Sequence, residues 1–313
     1  MPIYAPTTLE KGLRTLFLHT LAGMQAKTLI GLIASIETTA ADSEKFIHLG
    51  QPPQMQPFKG DIEYGDLTEA GYTITPEQYA GGLVVRRKDL INDQTGGIRM
   101  RVMQLAAVAS RHADKLGIQA LVNGTSSTIG LCYDGVSYYN DAHPARKGEG
   151  GTQDNLLAGS GTSSANVVTD ITQALTYFGN AVAENGEPYF DDAEPREITF
   201  AFPWALIGAF KTATGAKELS GTTNVVIDGI RVRLVPSGRL YKESADANDW
   251  YALRTDMPVK PLIQLIREGV SFHAQESDAS DSVFDHDLYK YKTMVYHTVK
   301  YGPWQMACKF VNT

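Results

Sequence analysis

The sequence predicts an α+β fold, and three observations carry that prediction. From Thr95 to Val122 there is no proline, and apolar residues recur at helical spacing. Residues 58–87 alternate apolar and polar side chains around Gly65 and Gly71, the pattern of a two-stranded hairpin. Lys260–Phe272 and Lys290–Val311 read as long strands.

Taken in order, Thr7 and Glu10 fit a capping box, the hydroxyl covering one free amide and the carboxylate reaching back to another. Leu13, Leu16, Phe17, Thr20, Leu21 and Met24 follow at helical spacing. Residues 1–36 therefore read as one amphipathic helix, broken or bent near Gly23 and again near Gly31. Its stripe packs on its own domain or on a partner subunit. Three prolines between Gln51 and Pro57 make a rigid extended connector. In the hairpin, Ile62, Tyr64 and Leu67 alternate with polar neighbours, as do Tyr72, Ile74 and Gln78. A lone two-stranded hairpin is marginal in water, so this one needs something to lie against. Gly81-Gly82 reads as a hinge into a short buried strand, Leu83–Val85.

The long helix keeps Ile98, Val102, Leu105, Ala106, Ala109, Ala113, Leu116, Ala120 and Leu121 on one stripe. Asn92-Asp93 supply cap chemistry before it, and Asn123-Gly124 stop it. At 1.5 Å per residue it spans roughly 40 Å. Residues 124–166, rich in Gly, Ser, Thr and Asn, read as a long loop. Asn166–Ala183 is a second amphipathic helix, with Val168, Ile171, Ala174, Leu175 and Phe178 on one face. Glu197–Phe202 is a strand, and Pro203-Trp204 opens a third helix that runs to Thr214. Val225–Pro236 reads as a hairpin around Asp228-Gly229, and Trp250–Leu253 as another strand. Tyr289–Tyr301 also carries a partly helical alternative.

The 313 residues fit about two domains and bury an ample core. With 43% hydrophobic and 20% charged residues the chain is globular rather than disordered. A net charge of −7 argues against a protein that grips nucleic acid through a basic face. It leaves room for one that encloses nucleic acid without close contact. No run of 18 apolar residues predicts a membrane span, and no secretory signal opens the chain. Two cysteines, Cys132 and Cys308, cannot build a disulfide framework and read as buried small hydrophobes in a reducing compartment.

The search for chemistry is mostly negative. The chain has no HExxH, Walker A loop, G-x-S-x-G elbow or CxxC. Gly159-Ser160-Gly161 resembles part of a phosphate loop but has no strand before it, so a flexible loop is favoured. Asp141 and His143 could do acid–base work, but no nucleophile lies nearby, and a loop-capping role is favoured for His143. His19, His48 and His112 carry no metal spacing. Acidic clusters stand at Asp191-Asp192-Glu194 and at Asp278, Asp281, Asp285 and Asp287; the second lacks the glycine turn and terminal glutamate of a calcium loop, and a solvated loop or turn is favoured. No catalytic, cofactor-binding or metal-binding residue is predicted. A chain of this size with a long helix and a projecting hairpin, but no catalytic constellation, suggests a protein that binds copies of itself.

Several stretches, in order along the chain, resemble the major head (capsid) subunit family of Mu-like tailed bacteriophages and prophages. They are Ser43–Gly50 with Pro53-Gln54-Met55 and Phe58–Asp61, then Val84–Arg87 with Leu90–Gly96. Cys132–Gly135 with Tyr138–Pro144, Pro258–Ile263 and Tyr301–Trp304 follow. The resemblance implies an HK-97-type capsid fold. Residues 1–57 would be the N-terminal arm and 58–87 the extended hairpin loop. Residues 88–187 and 265–313 would form a discontinuous peripheral domain with the long spine helix, and 188–264 the axial domain.

The resemblance also implies a function. The protein would self-assemble, as pentamers and hexamers, into an icosahedral head enclosing double-stranded DNA. It would be a component of the virion, assembled in the host cytoplasm, with no cofactor and no reaction. An acidic lining would let DNA slide during packing, although −7 equally fits ordinary solubility. A scaffold, a protease, a portal and decoration proteins are the implied partners. The chain begins with methionine and lacks a coiled-coil leader, so no built-in scaffolding domain is expected. Lys59 lies at the hairpin base and Gly65–Gly71 holds no lysine, so no hairpin-borne isopeptide cross-link is expected. Two alternatives stand beside this reading: an encapsulin-like compartment shell, and a β-rich hydrolase using Asp141 and His143.

Overall fold

The computed structural model describes residues 6–25, 28–46, 72–91, 93, 96–146, 149–183, 186–190, 195–215, 218–219, 222–223, 229–243, 248–277 and 280–312. Helix α1 (Pro6–Gln25) is followed by the single turn α2 (Ile30–Ile33), β1 (Ala34–Thr38) and β2 (Glu44–Phe46). Then come β3 (Tyr72–Ile74), β4 (Glu77–Arg86), α3 (Arg87–Ile91), α4 (Gly97–Ser110) and α5 (His112–Asn123). The middle of the chain gives β5 (His143–Arg146), β6 (Glu149–Gln153), β7 (Leu156–Ala158), α6 (Ser164–Asn180) and β8 (Glu197–Phe202). A 3-10 turn, Trp204–Leu206, enters α7 (Ile207–Gly215), and short strands β9 (Glu218–Leu219) and β10 (Thr222–Thr223) follow. The chain closes with β11 (Arg231–Pro236), α8 (Gly238–Glu243), β12 (Trp250–Arg254), β13 (Leu262–Gln275), α9 (Asp281–His286), β14 (Leu288–Tyr301) and β15 (Ala307–Val311).

Two larger sheets organise these elements. The first is four-stranded, in the order β1-β13-β14-β4, with β1 parallel to β13 and the other pairs antiparallel. The second is five-stranded, in the order β11-β8-β12-β15-β7, with parallel pairs at both edges. Helix α1 lies on the first sheet and on α4. It buries Leu13, Phe17 and Leu21 with Val102, Ala106 and Tyr291, and the Phe17 ring stacks on Phe272 at 4.7 Å. Helix α6 covers the second sheet, burying Val167, Ile171, Ala174 and Phe178 against Phe200, Trp250 and Phe310. Between the sheets a third core joins α2 and α5 to Tyr138, Tyr139, Tyr251, Tyr301 and Trp304.

Several expectations are corrected. In residues 1–36 α1 ends at Gln25, close to the break expected near Gly23, but the chain does not stay helical to residue 36: Ala34–Thr38 is a strand paired with β13. The helix expected over Thr95–Val122 is two helices that meet at Arg111, whose backbone sits at φ −89°, ψ 0°. At this break buried Ser110 turns its hydroxyl back to the Ala107 carbonyl at 3.0 Å, which also accepts from the Arg111 amide at 3.3 Å. Gly81-Gly82 is no hinge. Both glycines lie inside the continuous strand β4, paired with Thr293 and Lys292. A Cβ at either position would make only ordinary contacts, the nearest 3.4 Å from the Tyr291 carbonyl oxygen at Gly82 and 3.5 Å from Leu105 at Gly81.

Lys290–Val311 is not one strand either. The chain turns at Gly302-Pro303 and leaves β14 for the other sheet as β15. A Cβ on Gly302 would lie 2.5 Å from the Lys260 carbonyl oxygen, so only glycine fits the crossing. β11 pairs in parallel with β8, and the first strand of the hairpin expected over Val225–Pro236 lies outside the described residues. The loop expected over 124–166 contains β5, β6 and β7, and 289–301 is strand throughout. The predicted hairpin tip, Lys59 and the Asp191-Asp192-Glu194 cluster lie outside the described residues.

Candidate functional site

The residues singled out for chemistry are committed to holding loops together. His143 is fully buried and meets not Asp141, which is exposed, but Asp134. Its Nδ1 lies 2.6 Å from the Asp134 carboxylate and its Nε2 3.2 Å from the Tyr138 carbonyl oxygen. Both ring nitrogens thus face oxygens of the same loop. The ring also stacks on Trp304 at 4.1 Å, nearly parallel. Both nitrogens are engaged and the ring is fully buried, so His143 fixes the loop, and its partner is corrected from Asp141 to Asp134.

Asn155, fully buried, is the centre of the same region. Its Oδ1 accepts from the Asn140 amide at 2.8 Å. Its Nδ2 reaches the carbonyls of Tyr138, Trp304 and Ala307 at 2.8, 3.4 and 3.2 Å. One amide thus ties the 130s loop to the crossing between the sheets.

The Gly159-Ser160-Gly161 turn is likewise closed to phosphate. The Ser160 amide donates to the buried Asp170 carboxylate, and the Gly161 amide to Asn312 Oδ1 at 3.0 Å. A carboxylate already occupies the place an anion would take. A Cβ on Gly159 would lie 2.1 Å from Asn312 Oδ1, which explains that glycine by close approach. Lys309 and Asp249 pair at 2.8 Å nearby, both nearly buried. Cys132 and Cys308 are buried in separate cores, and burial pushes both thiols up. Among the described residues no group of three or more His, Cys, Asp or Glu side chains could hold a metal, and no helix is long and apolar enough to cross a membrane.

Sequence reasoning missed Asn155, Asn312 and the contact of His112 with His297, since their partners lie far away in the chain.

What remains for function is the surface. Ile36 on β1 and Val84 on β4, the two edge strands of the first sheet, are 53% and 55% exposed. Met100 and Val108 face outward from α4, Trp204 precedes α7, and Phe284 on α9 is 83% exposed. Open edges carrying apolar side chains are places where other chains add. An open groove of about 680 Å³ between α6 and β7 is lined by Leu157, Val168, Thr172 and Tyr177.

The family model for the Mu-like prophage major head subunit gpT matches residues 7–178 and 234–312, well over half of the chain. The chain belongs to that family. The FluMu prophage major head subunit of Haemophilus influenzae is 24% identical over 276 residues, 88% of this chain. That stretch is 63% of the relative, so the chain spans less than two thirds of its length. The procapsid of bacteriophage JBD30 superposes with a TM-score of 0.57 at 20% identity, over 97% of this chain and 75% of that one. The virus-like particle from Pyrococcus furiosus gives a TM-score of 0.53 at 11% identity, over 96% and 98%. The fold of this major head subunit relative is accordingly the HK-97-type capsid fold, and its mixture of helices and strands is the α+β class expected.

Proposed function

We propose that this protein is the major capsid subunit of a Mu-like phage or prophage, and that many copies close into an icosahedral head around double-stranded DNA. The observation that carries this reading is the family match on both sides of residues 179–233, which takes in strands of both large sheets. The exposed apolar edges of the first sheet support it, because weak contacts repeated many times per particle make a stable shell.

In this reading the four-stranded sheet with α4 and α5 forms the peripheral domain. The five-stranded sheet with α6 and α7 forms the axial domain. The axial core then draws on α6, β7 and β15 in addition to residues 188–264. Residues 58–87 are the extended loop, and β4 is its return strand.

The subunit performs no reaction, a reading supported by the buried, loop-bound His143 and the carboxylate-filled glycine turn. Its partners are copies of itself in pentamers and hexamers, with a scaffold, a protease, a portal and decoration proteins. It uses no hairpin-borne isopeptide cross-link, and a ladder of covalent multimers on denaturing gels of assembled particles would contradict that. The likeness to the Pyrococcus furiosus particle keeps an encapsulin-like shell as the second reading. Particles purified from producing cells decide between them. Nuclease-protected double-stranded DNA is expected inside, whereas an enclosed protein cargo with no DNA would overturn the phage-head reading.

A further inference from the structure

At the break between α4 and α5, two histidines face each other. His112 is the first residue of α5, and its Nδ1 lies 2.9 Å from Nε2 of His297 on β14. The rings are stacked with centroids 5.2 Å apart. Tyr79 on β4 packs on both, at 4.3 and 5.8 Å. Nδ1 of His297 meets the Gln264 side-chain nitrogen on β13 at 3.3 Å. One contact therefore joins the helix break, the centre of the four-stranded sheet and its edge strand β4.

The hydrogen-bond roles are fixed by chemistry. An amide nitrogen only donates, so with Gln264 in this orientation Nδ1 of His297 accepts, and its Nε2 carries the proton. Nδ1 of His112 must then accept, leaving its proton on Nε2. Every bond is made with both rings neutral. A proton added to His297 Nδ1 collides with the Gln264 donor, and one added to His112 Nδ1 collides with the His297 donor. Charging both rings places two cations in contact.

We propose that His112 and His297 form a proton-operated latch, closed while both rings are neutral, whose protonation releases the break in the helix pair from β14 and β4. Other groups around it favour the neutral state. Burial, then Lys115 on α5 and Arg239 on α8, pull the His112 value down. Burial, then His112, lower His297 to about 4. The Tyr79 phenol is held neutral, raised to about 12 by burial and by Glu77, whose carboxylate accepts its hydroxyl proton at 2.6 Å. The open form, with a histidine value near 6.5, binds more protons than the closed form between pH 6.5 and 4. Acid therefore favours opening, and for His297 alone the shift amounts to roughly thirtyfold at pH 5. The latch rests on contacts within one chain, so it stands or falls separately from the shell reading.

Amide hydrogen exchange of the full chain, read by mass spectrometry at pH 7.5 and 5.0 and corrected for intrinsic rates, tests it. Peptides covering residues 105–116 and 77–86 are expected to lose about tenfold or more of their protection at pH 5.0. His297→Gln and His112→Gln, which keep a hydrogen-bonding side chain that cannot charge, are expected to show equal protection at both pH values. If His297→Gln fails to fold, the half-buried His112 site decides alone. Unchanged protection in the wild type, or an equal loss in a folded glutamine variant, would overturn the latch. So would a loss spread evenly to β8 and β12, which would mean global acid unfolding.

Discussion

Asp93 shows how a single side chain starts the helix pair. Its carboxylate accepts from the Gly97 and Ile98 amides at 3.0 and 2.9 Å, covering two donors that have no partner within α4. Asp93→Ala is expected to cost about 1 kcal/mol, read as a lower thermal midpoint. Asn155→Ala removes a buried amide bonded to four backbone groups, and a loss of about 3 kcal/mol or more is expected in the same assay. The contrast explains what sequence reading reaches at this scale. The cap at Asp93 was legible because donor and acceptor are a few residues apart. The bonds of Asn155 to Trp304 and Ala307 span about half the chain and exist only once β15 has crossed between the sheets. Asp141 was paired with His143 by proximity in sequence, whereas the loop folds Asp134 onto the ring.

At the scale of elements, local pattern located most helices and strands but not how they join. Glu197–Phe202 is a strand to the residue, because its apolar run is buried on both faces of the second sheet. The break at Arg111 was illegible, since the apolar stripe continues through it and only the buried, back-bonded Ser110 marks it. The glycine pair in β4 was legible as glycine but misread as a hinge. A Cβ on Gly81 would make only ordinary contacts, 3.5 Å from Leu105 and 3.6 Å from Thr293. Gly81→Ala is therefore expected to leave stability within about 0.5 kcal/mol or raise it slightly, with assembly intact. A loss of particles by electron microscopy would restore the hinge reading. Gly302→Ala drives a methyl into the Lys260 and Pro261 carbonyls, 2.5 and 3.0 Å away. It is expected to destabilise by several kcal/mol, on the order of 3, and to yield insoluble or misassembled chains.

The whole molecule is one chain threaded through two sheets, with β14 in the first continuing into β15 in the second. A core of tyrosines and Trp304 sits where the thread crosses. Burial closes that core within a single subunit, while Ile36 and Val84 on the edge strands of the first sheet stay exposed among the described residues. A stable subunit whose surface is completed by its copies is therefore expected. Deleting residues 59–70 spares every described strand, so the thermal midpoint is expected to be kept while closed particles are lost, as seen by electron microscopy. The most direct test of the central claim is sedimentation velocity on the purified full-length chain across protein concentration and salt, with imaging of the fastest fraction. Closed hollow particles in equilibrium with small oligomers are predicted. A single monomeric species under every condition would contradict the claim.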